Sequence, residues 1–463
     1  MFRKYQFPGS DWRLHETLEA IDATVRPDRS VKDILVTLDR WKGRLYKSLA
    51  NTVIPLPAKS LTIKILNLFL SKYDFLTRRT ILLSSPYGIL VDPMNGCQLA
   101  CPGCVHSARS KELRLFDWDP GVLSEPLFAD FMRRYGPYAI QTDFYNYGEP
   151  LLNPKTPRFI HIAKTYLART AISTNMNVKD FDAEAYITCG LDYMTLSIDG
   201  ATQGTYERYR RKGDIEAVFR NVRSLIQTRT RMGKQTPLVS WQYLAFEHNE
   251  HEIDDAIRMA EQLGVDRFIL GSPYDVSWDD PSIRPSKREP RVVLLHSDAA
   301  TGAVENWNPF PSEIDAALIE QEFAANWQER VANENESENA NAQVGLRHTC
   351  HYLYKNIVMD ARGRIMPCCA APRPDADLVF GSVQSGADVF NSEQYRLARL
   401  SFADPKLYQI EQASTRLSKG PHCAQCEWDQ SHAQIDKESL KNYFAAVGNG
   451  VFNSDSTGIL SSW

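Results

Sequence analysis

The sequence lacks the features of an exported or membrane-spanning protein. The segment Met1–Pro8 has no apolar core of the kind that a signal peptide needs. No stretch of 18 residues is without a charged side chain, so no segment is apolar enough to cross a bilayer. We therefore expect a cytoplasmic protein, in which structural disulfides are rare.

The chain also lacks a strong excess of charge of either sign. Its 463 residues include 53 basic and 57 acidic side chains, and the formal net charge is −4. Because nucleic-acid-binding proteins usually present a strongly basic surface, we expect no nucleic-acid partner. Internal repeats are absent as well, which excludes a repeat architecture. The length predicts two or three domains.

Strand-like and helix-like patterns alternate through residues 83–275. The predicted strands are Tyr87–Asp92, Ala139–Tyr145, Thr170–Ser173, Tyr193–Ile198, Val239–Ala245 and Arg267–Leu270. Helical patterns lie between them, for example at Ile215–Arg231 and His251–Leu263. Six β/α units in series predict an α/β fold with a parallel sheet, open or curved into a partial barrel. Functional residues are then expected at the C-terminal ends of the strands.

Four further segments flank this region. Residues 1–82 predict a helical N-terminal extension, and residues 276–346 predict a polar linker or insertion. Residues 347–440 form a small cysteine-rich unit, and residues 441–463 form a C-terminal tail.

One face of a predicted helix in the N-terminal extension is polar. Its residues recur at three- and four-residue spacing: Lys64, Asn67, Ser71, Asp74 and Arg78. A basic helix that packs on the next domain is the first interpretation. The alternative is a peripheral membrane contact through residues 40–80, which are rich in lysine and arginine.

The nine cysteines are clustered, and the first cluster follows the first predicted strand. Cys97, Cys101 and Cys104 have the spacing C-x3-C-x2-C. Thiolates favour zinc, copper(I) and iron–sulfur clusters. A zinc site completed by His106 is one interpretation. The other is a cubane cluster, on which three thiolates leave one iron open to bind a small molecule.

This cysteine spacing behind a first strand resembles the radical S-adenosylmethionine (SAM) superfamily. The resemblance implies a partial (β/α)6 barrel and a [4Fe–4S] cluster held by Cys97, Cys101 and Cys104. It also implies that SAM binds the open iron and is cleaved reductively to a 5′-deoxyadenosyl radical. A reducing partner such as flavodoxin or ferredoxin is then expected.

Short motifs at later strand ends resemble the SAM-binding elements of this family. The implied contacts are Gly148, Glu149 and Pro150 after the second strand, Ser173 and Asn175 after the third, and Ser197, Asp199 and Arg210 after the fourth. Glu149 would accept from the SAM amine, and Ser197 and Arg210 would hold its carboxylate, with Arg208 as the alternative to Arg210. Gly103 departs from the family, in which many members have an aromatic residue before the third cysteine.

The second cysteine cluster lies in the C-terminal unit. Cys350, Gly363 and Cys368 are spaced C-x12-G-x4-C, and Cys423 and Cys426 follow as a C-x2-C pair. This pattern resembles the SPASM domain in its shortened, twitch-like form. The resemblance implies an auxiliary [4Fe–4S] cluster with four cysteine ligands, for which Cys369 could replace Cys368. A structural zinc ribbon is the alternative.

A cluster with four thiolates has no open iron, which favours electron transfer over substrate binding. We therefore expect an oxidoreductase with the auxiliary cluster as electron acceptor. The resemblance to the shortened, twitch-like form implies dehydrogenation of an alcohol- or sugar-type substrate. The alternatives are peptide modification, modification of a lipid-linked or cell-envelope carbohydrate, and a non-catalytic iron–sulfur or zinc scaffold. Candidate substrate contacts at strand ends are Asp143, Tyr145, Gln242, Glu247 and His248.

Overall fold

The computed structural model describes residues 63–64, 67–68, 70–71, 74–75, 78–107, 121–273, 280–295, 350, 352–369, 379–414 and 421–425. Ten strands within them form one sheet. They are β1 Gly88–Val91, β2 Gln141–Asp143, β3 Arg169–Thr174, β4 Tyr193–Ser197, β5 Leu238–Leu244, β6 Arg267–Gly271, β7 Arg291–Leu294, β8 Asn356–Met359, β9 Arg364–Met366 and β10 Gly381–Ser382.

Helices follow most of the parallel strands. They are α1 Glu125–Tyr135, α2 Thr156–Thr165, α3 Ala183–Thr188, α4 Gln203–Tyr209, α5 Ile215–Arg231, α6 Ile253–Leu263, α7 Tyr352–Lys355, α8 Glu393–Ala403 and α9 Pro405–Ser414. Helix α5 has the predicted bounds. It begins after Asp214, whose carboxylate accepts the first free backbone N–H groups. None of the helices within the described residues combines the length and apolar character that crossing a bilayer demands.

Strands β1 to β6 lie side by side in chain order, and each pairs in parallel with the next. Each of the six predicted strands overlaps an observed one. The sheet is open, because β10 and β7 form its two edges. This topology confirms the predicted α/β fold class with a partial (β/α)6 barrel.

The two faces of the sheet differ in burial. On one face, the aromatic side chains pack against the helices: the ring centroid of Phe128 in α1 lies 5.6 Å from that of Phe144, and Phe219 in α5 lies 5.7 Å from Trp241. Residues on the opposite face, here called the inner face, are mostly only half-buried, so burial alternates along β1, β3, β4 and β6. The inner face therefore lines an open space.

Strand β8 of the C-terminal unit joins the barrel sheet directly. It pairs in parallel with β1, from Gly88 beside Asn356 to Val91 beside Met359. A hairpin follows, in which β9 runs antiparallel to β8 and Gly363 adopts a φ of +80°. The C-terminal unit therefore shares one sheet with the barrel, which the sequence did not indicate.

A further strand lies within the segment predicted as a linker. Strand β7 pairs antiparallel with β6 and forms an edge of the sheet. The rest of the linker from residue 296, the tail at 441–463 and residues 1–62 lie outside the described residues. The predicted domain boundaries stay predictions.

In the described part of the N-terminal extension, side chains of the predicted polar helix face are buried. Four of them are at most 4% exposed: Lys64, Asn67, Ser71 and Asp74. The Lys64 ammonium donates to the carbonyl of Ala139, and Asp74 accepts from the N–H of Ser84 at 2.9 Å. These contacts confirm packing on the next domain and leave the four side chains unavailable to a lipid surface. The membrane contact predicted through residues 40–80 stays a prediction for the other residues of that segment.

Candidate active site

The loop after β1, residues 92–104, is here called the cysteine loop. Asp92 at its start is fully buried, and its Oδ1 accepts the backbone N–H of Tyr147 at 3.0 Å and of Gly148 at 3.1 Å. The loops after β1 and β2 are therefore in contact at the C-terminal edge of the sheet, where parallel β/α folds place their sites.

Gly148 permits this close approach. A Cβ atom there would lie 1.5 Å from the carbonyl oxygen of Met94, well inside any non-bonded contact. The next N–H, of Glu149, donates to the carbonyl of Gly96 at 2.8 Å. Pro150 is buried and begins a short 3₁₀ turn, which fixes the direction of the preceding Glu149.

Cys97, Cys101 and Cys104 lie near one another in the cysteine loop. Burial raises the pKa of the Cys97 thiol to about 12, and the nearby Glu149 carboxylate and the other two thiols contribute to the rise. Burial also raises the pKa of Cys101 to about 11, although the Arg210 guanidinium opposes this shift. A bound metal ion would favour the thiolate forms of these residues.

Apolar side chains cover the thiols. Leu99, Phe246 and Ile283 are at most 2% exposed and pack with Cys101 and Tyr209. Ile283 comes from the segment that was predicted as a linker. This cover limits the access of water, which affects the potential of a bound cluster.

Glu149 lies beside the thiols and is almost fully buried. Its carboxylate accepts from the Thr174 hydroxyl at 2.6 Å and from the N–H of Asn175 at 2.9 Å. Burial raises the pKa of Glu149, and these hydrogen bonds together with nearby Arg210 act against the rise. A carboxylate held in this way is suited to accept from an ammonium group, the role predicted for it with SAM.

The ends of β3 and β4 bring the other predicted contacts to the same edge. The Ser173 and Ser197 hydroxyl oxygens are 3.3 Å apart. The Asn175 amide nitrogen lies 3.6 Å from the Cys97 sulfur, and its Oδ1 accepts from Gln98 at 2.9 Å. The predicted SAM contacts of these strands therefore converge near the cysteine loop.

Arg210 reaches the thiols from beyond α4. Its Nε donates to Asp199 at 2.5 Å, and its Nη1 lies 3.9 Å from the Cys101 sulfur. Asp199 is fully buried, and its other oxygen accepts the N–H of Leu244 at 2.7 Å. Asp199 therefore supports Arg210, and its own contact with SAM stays a prediction. Arg208, the alternative to Arg210, is exposed.

Two tyrosines lie among the described cysteines of the C-terminal unit, which are Cys350, Cys368, Cys369 and Cys423. Burial raises the pKa of Tyr352, and the nearby thiols of Cys369, Cys368 and Cys350 raise it further. Burial also raises the pKa of Tyr395, which lies near Cys423 and Cys368. These four cysteines therefore share one neighbourhood, whereas Cys426 lies outside the described residues.

Hydrogen bonds connect the C-terminal unit to the first cysteine group and its loop. The Tyr147 hydroxyl donates to the carbonyl of Cys369. The Asn95 side-chain oxygen accepts the N–H of Ala361, in the turn of the β8–β9 hairpin, at 2.9 Å. Sequence reasoning missed Asp92, Asn95 and Tyr147, although each is a polar residue at a predicted strand end.

The inner face below the cysteine loop is largely polar. Its side chains include Gln141, Asp143, Arg169, Ser173, Thr195, Ser197, Gln242 and Arg267. Both oxygens of Asp143 accept from Gln141, at 2.8 and 3.0 Å. Burial raises the pKa of Asp143 to about 6.

Two of the candidate substrate contacts, Glu247 and His248, lie in the loop after β5. Glu247 is exposed, whereas His248 is buried and stacks on Phe246 with 5.4 Å between ring centroids. Neither ring nitrogen of His248 has a hydrogen-bond partner in the part of the chain that the structure describes. Burial lowers the pKa of His248 to about 4, so the ring is neutral at physiological pH.

The residues present fit iron–sulfur clusters. No disulfide joins any of the eight cysteines that the structure describes. The first group offers three buried or half-buried thiols beside a cation and a carboxylate, Arg210 and Glu149, which suits a cluster with one open iron and an amino-acid ligand. His106 lies 3.0 Å from the Tyr147 carbonyl through its Nε2, so that nitrogen is not directed at the thiols as a zinc ligand would be.

Comparison with known proteins agrees with this chemistry. The model of the Radical SAM superfamily matches residues 91–260, and the model of the SPASM iron–sulfur cluster-binding domain matches residues 350–427. Pre-heme d1 synthase of Dinoroseobacter shibae is 24% identical over 176 residues, 38% of this chain and 40% of that protein. The match therefore spans less than half of that relative.

A comparison with solved structures found matches that include two with SAM bound. Streptococcus suis SuiB bound to S-adenosylmethionine has a TM-score of 0.45 and 14% identity, covering 82% of this chain and 79% of that one. BtrN in complex with AdoMet and 2-DOIA has a TM-score of 0.34 and 14% identity, covering 74% of this chain and 92% of that one.

Proposed function

We propose that this chain, which is a radical SAM enzyme with an SPASM iron–sulfur domain, dehydrogenates an alcohol- or sugar-type substrate. The first cysteine group would hold the cluster that binds SAM, and the second group, with Cys426, would hold the auxiliary cluster. The polar inner face, which opens below the cysteine loop, is the observation that carries the proposal.

When bound, the clusters and SAM would supply the one-electron chemistry: removal of a hydrogen atom from the carbinol carbon and uptake of one electron from the substrate. The hydroxyl proton leaves with that electron. The substrate thereby loses two hydrogens and becomes a carbonyl compound, while SAM is consumed.

The inner face supports a substrate with several hydroxyl groups. Two side chains that both donate and accept, Thr195 and Gln242, line it near the cysteine loop and are not among the predicted SAM contacts. An apolar substrate would leave these groups without partners, at a cost of about 1–3 kcal/mol for each buried group.

Asp143 is our candidate for the residue that accepts the hydroxyl proton. It lies on the inner face in β2, and burial raises its pKa to about 6. A carboxylate with a pKa near this value is largely ionised at neutral pH and is still basic enough to take a proton. Gln141 holds both oxygens, which fixes the orientation of the carboxylate.

The test is a reaction of reconstituted, reduced protein with SAM and a panel of polyols, aminocyclitols and short peptides. We expect 5′-deoxyadenosine and a carbonyl product in equal amounts with a polyol or aminocyclitol, and transfer of deuterium from the carbinol carbon into 5′-deoxyadenosine. If product formed only from a peptide, the substrate would be a peptide and not a polyol or aminocyclitol. If no 5′-deoxyadenosine formed, the proposed SAM cleavage would be refuted.

Two variants separate the steps. Asp143→Asn should still yield 5′-deoxyadenosine but should lower the carbonyl product at least about tenfold, because the proton has no acceptor. Replacement of Cys423 and Cys426 by alanine should abolish oxidation and leave part of the SAM cleavage. Loss of all SAM cleavage in a folded variant would contradict the acceptor role of the auxiliary cluster.

A further inference from the structure

The Asn175 side chain lies between the cysteine loop and the loop that follows β3. Its Nδ2 donates to the Cys97 sulfur at 3.6 Å. Its Oδ1 accepts the backbone N–H of Asn177 and the side-chain Nε2 of Gln98, each at 2.9 Å. Asn175 is only 6% exposed, so little of it is open to water that could replace these partners. The side chain therefore joins the first cysteine of the cluster site to the chain beyond β3.

The backbone of Asn177 determines which end of the Asn175 amide faces the sulfur. A backbone N–H can only donate, so the atom of Asn175 that meets it must be the amide oxygen. The carbonyl of Asn177 can only accept, and it binds Nε2 of Gln98 at 2.7 Å, which fixes the orientation of that second amide as well. The NH2 group of Asn175 is thereby left facing Cys97.

Ligation of iron by Cys97 would strengthen this hydrogen bond. The neutral thiol donates to Oε1 of Gln98 at 3.6 Å. A thiolate has no proton to donate and is an acceptor only, so the contact with Asn175 is the one that is retained. A hydrogen bond to an ionised acceptor is roughly twice as strong as one between neutral groups.

The strength of this hydrogen bond depends on the oxidation state of the cluster. One-electron reduction adds a negative charge to the cluster and its thiolates. A donor at a ligand sulfur therefore stabilises the reduced form more than the oxidised form, and hydrogen bonds of this kind are among the factors that set the potential of an iron–sulfur cluster.

We propose that Asn175 raises the reduction potential of the first cluster by donating to the Cys97 thiolate, and that Gln98 is the positioning residue that directs the Asn175 amide toward the sulfur. The electron itself comes from the reducing partner. This role is additional to the predicted contact of Asn175 with SAM, and it does not depend on the proposed dehydrogenation.

The test is a potentiometric titration of the reconstituted full-length protein, followed by electron paramagnetic resonance. SAM is left out, so that its binding does not contribute. Asn175→Ala should shift the midpoint potential of the first cluster to a more negative value, because the donor is lost. Asn175→Asp should shift it further, because a carboxylate oxygen takes the place of the NH2 group beside the sulfur.

The auxiliary cluster in the same sample serves as an internal reference, and its midpoint potential should stay constant. An unchanged midpoint potential of the first cluster in both Asn175 variants would overturn the proposal. Equal shifts of the two clusters would also overturn it, because they would indicate a general change of structure.

Asn221→Ala is the matched control for the loop that follows β3. Asn221 in α5 is also buried, and its Nδ2 donates to the carbonyls of Met176 and Val178 in that loop, at 2.9 and 2.8 Å. Its replacement should lower the free energy of unfolding and leave the midpoint potential of the first cluster unchanged. A shift as large as that of Asn175→Ala would show that the position of the loop sets the potential, and would refute the role of the donor.

Gln98→Ala tests the positioning role. Asn175 then keeps the N–H of Asn177 as a donor to its oxygen but loses the second one. The midpoint potential should lie between those of the wild-type protein and Asn175→Ala. A value equal to that of the wild-type protein would refute the role of Gln98.

A measurement on the unchanged sequence keeps the proposal testable if the Asn175 variants do not bind the first cluster. Wild-type protein with 15N in its asparagine side chains should show a 15N coupling in pulsed electron paramagnetic resonance of the reduced first cluster. A spectrum without this coupling would refute the contact between the Asn175 amide and the Cys97 thiolate.

Discussion

Replacement of Gly148 by alanine tests the contact between the cysteine loop and the Gly-Glu-Pro element. The added Cβ would lie 1.5 Å from the carbonyl oxygen of Met94 and 2.6 Å from its carbonyl carbon. Non-bonded carbon and oxygen atoms stay about 3 Å or more apart. Because the atoms of Met94 belong to the backbone, no side chain can rotate to relieve the overlap, and the two loops must separate by roughly 1.5 Å.

This separation has a calculable cost. It breaks the hydrogen bond from Glu149 to Gly96, now 2.8 Å, and the one from Gly148 to Asp92, now 3.1 Å. Each bond contributes about 1 kcal/mol, and the overlap itself costs about 1–3 kcal/mol. We expect the free energy of unfolding to fall by about 3–5 kcal/mol. We also expect 5′-deoxyadenosine formation to be lost, because Glu149 moves away from the thiols.

The assay pairs denaturant unfolding of the iron-free protein with 5′-deoxyadenosine formation by the reconstituted one. Gly204→Ala is the matched control, since a Cβ at Gly204 in α4 would meet nothing within 4 Å. That change should leave the reaction intact and add about 0.5–1 kcal/mol of stability. A Gly148→Ala variant with unchanged stability and unchanged 5′-deoxyadenosine formation would show that the two loops do not approach as described.

Three further predictions concern buried charges. Burial, together with a nearby carboxylate, raises the pKa of Asp92 from 3.8 to about 7. Between these pH values the folded protein binds a proton at Asp92 that the unfolded chain releases. The free energy of unfolding therefore falls as the pH rises from about 4 to about 7. Asp92→Asn should flatten this slope in unfolding curves of iron-free protein; an unchanged slope would contradict the shift. Asp74→Ala should lower the free energy of unfolding by about 2–4 kcal/mol through lost acceptors, whereas the exposed Asp255→Ala should change it by less than about 0.5 kcal/mol in the same urea titration. Arg210→Lys should keep the iron content and weaken SAM binding at least about tenfold in equilibrium titrations, because lysine lacks the planar guanidinium group that can bind a carboxylate through two hydrogen bonds. Equal SAM affinity would contradict the predicted contact of Arg210 with the SAM carboxylate.

Local signals in the sequence predicted much of the fold. The bounds of α5 follow from a capping Asp214 and from apolar residues at helical spacing, all within one short segment. The spacing in the N-terminal extension likewise indicated the packed helix. It did not show that Lys64 faces the protein interior, because its partner, the carbonyl of Ala139, lies 75 residues away in sequence.

Contacts between distant segments could not be predicted. The composition of β8 does not indicate that β1 is its neighbour, because the residues of a short apolar strand do not determine which other strand it pairs with. In the site, the spacing of the cysteines and the Gly-Glu-Pro element carried the resemblance, and the structure brings these residues together. The contact of Tyr147 with Cys369 joins residues 222 positions apart and leaves no local trace.

The pairing of β8 with β1 has a consequence for how the protein folds during its synthesis. One edge of β1 stays without its final partner until residues 356–359 leave the ribosome. The cysteine loop also waits for its support, because Asn95 binds the hairpin turn that follows β8. Chains released before residue 356 should expose this edge and pellet as aggregates, while the full chain stays in solution. We therefore expect insertion of the first cluster to follow synthesis of the β8–β9 hairpin.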